Sequence, residues 1–141
     1  MSTELRVGVI DSGCSPAQQG TLAAVRRFWL EDGVLREGAA QSDLLGHGSA
    51  VLTRLQAEAG EVPVLLAQVF SEQASTSALQ VAAALLWLVE EGATVVNLSL
   101  ACIRTALCCA RLAPKPMPLA CCCVPRAQPR VARCTRPVTP E

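Results

Sequence analysis

The chain has 141 residues, 51% of them hydrophobic and 17% charged, with a formal net charge of +0. That length suits one modest domain, and the apolar share argues for a well-buried core. The longest apolar run, residues 81–89, is too short to span a bilayer, and the polar start Met1-Ser2-Thr3-Glu4 lacks the basic and apolar regions of a secretory signal, so no membrane partner and a cytoplasmic location are expected.

In chain order, residues 5–10 are rich in Val and Ile and end at Asp11-Ser12-Gly13, which predicts a buried strand with a turn at its end. Leu22, Val25 and Trp29 have helical spacing, and Glu31-Asp32-Gly33 looks like a stop, so residues 20–30 are predicted as helix. Residues 34–45 are polar with one glycine, Gly38, between Gly33 and Gly46, and read as loop or a short strand. His47 opens a predicted helix with Val51, Leu52 and Leu55 on one face and Gly60 at its end. Residues 63–70 form another apolar strand. Ser75-Thr76-Ser77 can cap a helix in which Leu79, Ala82, Ala83, Leu86 and Val89 share a face, with Gly92 at the C′ position. The other side, Ala84, Leu85, Trp87 and Leu88, is also apolar, which predicts burial on two sides. Residues 93–100 form a further strand. Strands alternating with helices predict an α/β fold: a partial doubly wound parallel sheet with helices on both faces.

Composition switches near Leu100. Residues 1–100 carry 11 acids and 5 bases; residues 101–141 carry 1 acid and 7 bases. All nine glycines lie at or before Gly92, no serine follows Ser99, and seven of the eight cysteines and seven of the nine prolines lie beyond position 100. The expected division is therefore 1–100, a folded unit, and 101–141, an irregular Pro/Cys/Arg-rich tail. Pro114, Pro116 and Pro118 forbid regular helix or central strand in their part of that tail. A frameshift near codon 101 accounts for so abrupt a switch. Read in the shifted frame, degenerate codons for residues 119–123 can encode Gly-Val-Leu-Leu. Those for residues 133–141 can encode Val-Tyr-Pro-Ala-Ser-Tyr-Pro-Gly.

The chemistry-bearing residues lie in the first unit. In an open α/β sheet, functional groups gather beyond the carboxyl ends of the strands. Asp11 stands at such an end, and His47, the sole histidine, opens a helix at the same edge. Gly48 leaves room beside the imidazole. An acid that fixes an imidazole's tautomer, and an imidazole that takes a hydroxyl's proton, are two parts of a nucleophilic triad. Each residue also has a plainer reading: Asp11 as a turn residue, His47 as a helix start, Asn97 as a structural hydrogen-bonding group, Ser12 and Ser49 as turn serines.

Asp11-Ser12-Gly13, His47-Gly48-Ser49-Ala50-Val51 and Asn97-Leu98-Ser99-Leu100 occur in the order Asp, His, substrate strand. Together they resemble the N-terminal part of a subtilisin-like serine protease, the subtilase or peptidase S8 family, over roughly residues 5–100. The resemblance implies a serine endopeptidase with Asp11 and His47 as catalytic residues. Ser99 and Leu100 would hold a polypeptide substrate, and Gly13, Gly48 and Asn97 would be structural near the site. With no propeptide expected ahead of the first strand, it is nearer the small intracellular subtilases, including those that trim leader peptides. It also implies a serine in a Gly-Thr-Ser-Met-Ala motif, an oxyanion asparagine and a glycine where Ala101 stands; this sequence has none of them. The chain itself is therefore expected to be inactive, with a non-catalytic pseudoprotease or peptide-binding fragment as the rival reading.

No cofactor and no metal are expected: the tail cysteines lie in adjacent runs, Cys108-Cys109 and Cys121-Cys122-Cys123, with no histidine nearby, unlike paired zinc ligands. No nucleic acid partner is expected, since the basic tail lacks aromatics and period and no Gly-rich phosphate motif occurs. Oligomeric state is not readable.

Overall fold

The computed structural model describes residues 4–99 and a two-residue strand, Cys122–Cys123. Its elements are β1 (Val7–Asp11), α1 (Pro16–Gln19), β2 (Ala24–Glu31), β3 (Val34–Gly38), α2 (His47–Ala59), β4 (Val64–Gln68), α3 (Ala78–Glu90), β5 (Val95–Leu98) and β6 (Cys122–Cys123). They build one sheet of order β3-β2-β4-β1-β5-β6, parallel except for the β2–β3 pair. This is the α/β class expected. Of the tail 101–141, only β6 is described, paired in parallel with β5 through Asn97 and Leu98; the rest of that expectation lies outside the described residues.

The central strands explain themselves. Every residue of β1 and β4 is buried, as befits strands covered on both faces. Alternate side chains point to opposite sides. Val7, Val9, Val64 and Leu66 meet Leu52 of α2 on one face. Ile10, Leu65, Ala67, Val96 and Leu98 meet Val81, Ala84, Leu85 and Leu88 of α3 on the other. Gly8 lets α3 settle: a Cβ there would come 2.9 Å from Leu88 Cδ1. Helix α3 starts on a Ser77 capping box completed by Gln80. It ends in a Schellman motif, with Gly92 N–H donating to the Val89 carbonyl, Ala93 N–H to the Leu88 carbonyl, and Gly92 at φ +86°.

Two expectations are corrected. Residues 20–30 are not a helix; their greater part is β2, which lies parallel to β4 and turns into β3. The Asp32-Gly33 pair read as a helix stop is a two-residue hairpin turn, with φ of +51° and +76°, the left-handed pair that a type I′ turn demands. Val25, Phe28 and Trp29 suit a strand, and the three- and four-residue spacing of Leu22, Val25 and Trp29 is coincidental. Helix α3 is buried mainly on one side: Val81, Ala82, Ala84, Leu85, Trp87 and Leu88 are buried, while Leu79 and Leu86 are exposed. A helix apolar all round has no preferred face in its sequence, so the sheet decides which face docks. The segment left as loop or short strand is strand over Val34–Gly38 and irregular beyond.

Candidate active site

Parallel strands bring their carboxyl ends to one rim. Asp11, the last residue of β1, is 1% exposed there. Its Oδ1 accepts the Ser12 N–H at 2.7 Å. His47, the first residue of α2, approaches from above: its Nδ1 lies 2.9 Å from Oδ1 and 3.0 Å from Oδ2. A carboxylate only accepts hydrogen bonds, so Nδ1 donates and the proton is held on that nitrogen. The imidazole side chain is 44% exposed, and no described residue hydrogen-bonds Nε2. A buried acid thus orients a ring whose second nitrogen can act as a base toward a group arriving from solvent.

The helix start and the turn after β1 are locked by backbone contact and by two side chains. A Cβ on Gly48 would lie 2.2 Å from the Gly13 carbonyl oxygen, so only glycine fits there. Gly13 itself has φ +120°, a conformation other residues rarely adopt. Ser12 Oγ accepts the Gly48 N–H at 2.9 Å and donates to Asp43 Oδ1 at 2.8 Å. Asp43 Oδ1 also accepts the Leu45 and Gly46 N–H groups; Oδ2 accepts the Ser49 N–H at 2.9 Å and the Ser49 hydroxyl at 2.7 Å. Of the N–H groups that a helix start cannot satisfy itself, those of Gly46, Gly48 and Ser49 are thereby met. Partial burial pushes the Asp43 carboxyl up. The bonds from the Ser49 hydroxyl and N–H, from Ser12 and from Gly46 outweigh it and hold the group below the usual carboxylate range.

Gln68, at the end of β4, closes the floor. It is buried; its Nε2 donates to the carbonyls of Ser12 (2.8 Å) and Gln41 (3.0 Å), and its Oε1 accepts the Gln41 N–H at 2.8 Å. Nearby Cys14 is buried, and that burial, with the Asp43 charge second, pushes its thiol up, away from a reactive thiolate.

Of the other expected site residues, Asn97 lies in β5 opposite Val9 of β1, on the α2 face by alternation. Ser99 follows β5 at the same rim: its N–H donates to the Ile10 carbonyl at 3.4 Å, and its hydroxyl accepts from Asn97 Nδ2 at 3.4 Å. Leu100 lies outside the described residues. The structure therefore brings Asp11, His47, Gly13 and Gly48 into direct contact or adjacency, with Ser99 on the neighbouring strand end.

The fold is similar to that of a lanthipeptide protease of known structure. The two share a TM-score of 0.56 and 20% identity, over 77% of this chain and 34% of that one. The chain thus spans about a third of that structure's length, and the likeness is one of fold. No protein-family model and no curated protein matches the sequence.

Asp43 and Gln68 are absent from the residues picked out by motif. Asp43 stands four residues before His47, ahead of the Gly46 N-cap, and an Asp in the loop that leads into a helix is a candidate acceptor for its free first-turn N–H groups. Gln68 ends an otherwise apolar strand, an equally legible anomaly. Among the described residues, no group of three or more His, Cys, Asp or Glu side chains could hold a metal ion, and no helix is long and apolar enough to cross a membrane.

Proposed function

We propose that residues 1–100 are the acid-and-imidazole part of a subtilisin-like serine endopeptidase, and that residues 101–141 are translated out of frame. Asp11 fixes the Nδ1–H tautomer of His47 and stabilises its charged form. His47 takes a proton from a serine hydroxyl and later returns it to the leaving amine. Ser99 and Leu100 hold a polypeptide substrate in extended form, and no cofactor takes part. The observation that carries the reading is the two-oxygen contact between Asp11 and His47 Nδ1, with Nε2 turned away from it. The fold likeness to a lanthipeptide protease supports it.

These 141 residues provide no Gly-Thr-Ser motif and no serine after Ser99. In subtilisin, loss of the serine costs on the order of 10⁶ in kcat. The chain as it stands is therefore inactive in this reading. That same absence favours a second reading, a pseudoprotease that binds peptides without cleaving them.

A serine-directed fluorophosphonate probe separates the two. The protein read through in a restored frame should be labelled at a serine beyond position 99, and the 141-residue chain should not. Labelling of this chain at a serine by the rim would overturn the inactive assignment. If no single-base change near codon 101 opens a long frame containing Gly-Thr-Ser, the pseudoprotease reading stands.

A further inference from the structure

We propose that Asp43 is the positioning residue of the Asp11–His47 pair, tying the acid's turn to the imidazole's helix through Ser12. This rests on the proposed protease reading and deepens it. Ser12 is the residue after Asp11, and Gly48 the residue after His47. The Ser12 hydroxyl joins them, accepting the Gly48 N–H while donating to Asp43 Oδ1. The other Asp43 oxygen grips the next residue of the helix, Ser49, by both its N–H and its hydroxyl. One carboxylate thus holds both segments that carry the pair, each within two residues of a member of it.

The geometry leaves little slack. Gly48 sits against the Gly13 backbone so closely that no Cβ fits. A slip of the first turn of α2 by a fraction of an ångström therefore moves the imidazole relative to both Asp11 oxygens. Five donors converge on Asp43: the hydroxyls of Ser12 and Ser49 and the N–H groups of Leu45, Gly46 and Ser49. An asparagine has one acceptor oxygen and puts an NH₂ where the other oxygen was, so it cannot replace the carboxylate. On this account Asp43 touches no substrate. It acts through His47 by fixing where Nδ1 falls.

His47 is the only histidine in the chain, so labelling histidine with ¹⁵N gives one imidazole spectrum from the 141-residue protein. In the parent, the Nδ1–H tautomer should dominate, with a proton slow to exchange with water. In Asp43→Asn, that proton should exchange about tenfold faster or more, the loss expected for charge-assisted hydrogen bonds, and the tautomers should mix, while the amide spectrum of the β-sheet stays intact. Asp11→Asn is the control for the pair itself. If Asp11→Asn abolishes the protected proton and Asp43→Asn leaves it unchanged, the positioning role is wrong and the protease reading survives. If Asp11→Asn changes nothing, both fail. Should Asp43→Asn not fold, Ser12→Ala and Ser49→Ala each remove a single donor from the same carboxylate. Both should speed exchange in the same direction, and an unchanged rate in the two would equally overturn the proposal.

Discussion

At the scale of single residues, two glycines, one in the core and one at the site, are not alike. A methyl at Gly8 meets the end of the Leu88 side chain at 2.9 Å, and that side chain can turn aside. A methyl at Gly48 meets the backbone oxygen of Gly13 at 2.2 Å, which can move only with its strand turn. Gly48→Ala should therefore cost about 3 kcal/mol or more in urea unfolding, and Gly8→Ala about 1 kcal/mol. Equal losses would remove the argument that two backbone segments touch at the site. Asp43 has its own signature. Its folded carboxyl lies below the ordinary value, so the unfolded chain binds the proton more readily and stability rises with pH. The Asp43 contribution is complete above the unfolded value and is lost as pH falls through the folded one. Asp43→Ala should cost about 1–2 kcal/mol near neutrality, and the difference from the parent should shrink on acidification below about pH 4. A difference constant down to about pH 2 would contradict the hydrogen-bonded carboxylate. At this scale the sequence was more informative about chemistry than about support. Asp11 and His47 stand in recognisable motifs, whereas Gln68 matters through Ser12 and Gln41, distant in the chain, and Asp43 joins its own loop and helix start to the distant Ser12.

Elements were legible where their pattern was unambiguous. The starts of α2 and α3, the capping Ser77 and the terminal Gly92 follow from local rules, and they stand where those rules put them. The hairpin β2–β3 was missed because a three- and four-residue apolar spacing outweighed a stronger signal, Asp-Gly flanked by β-favouring residues. That turn carries a prediction. Gly33 sits at φ +76° with open space around it, so Gly33→Val should cost about 1–2 kcal/mol through backbone strain alone. Urea unfolding of that variant checks it, and a neutral result would deny the left-handed turn. The docking of α2 is tested at Leu52, which has no exposed surface and joins the helix to Val9, Leu66 and their neighbours. Leu52→Ala should cost about 2–5 kcal/mol. Because α2 carries His47 at its first position, the same change should loosen the imidazole as well.

For the whole molecule, the sheet order explains why the site exists at all. β1 lies between β4 and β5 in parallel register, so the ends of these three strands present Asp11, Gln68 and the Asn97–Ser99 corner along one rim. Asp11 and His47 are 36 positions apart in sequence, and the motifs alone could not measure the distance between their side chains. The α/β alternation made one rim the natural meeting place, and the 2.9 Å contact is its consequence. The abrupt change in composition after Leu100 belongs to this scale too, and the nucleotide sequence across codon 100 tests the frame proposed for it. The central claim is tested most directly by peptide hydrolysis in the protein read through in the restored frame. The restored protein should cleave peptides, with kcat falling on the order of 10⁶ in His47→Ala and on the order of 10⁴ in Asp11→Asn. Hydrolysis indifferent to both changes, or none from the restored protein, would contradict the account.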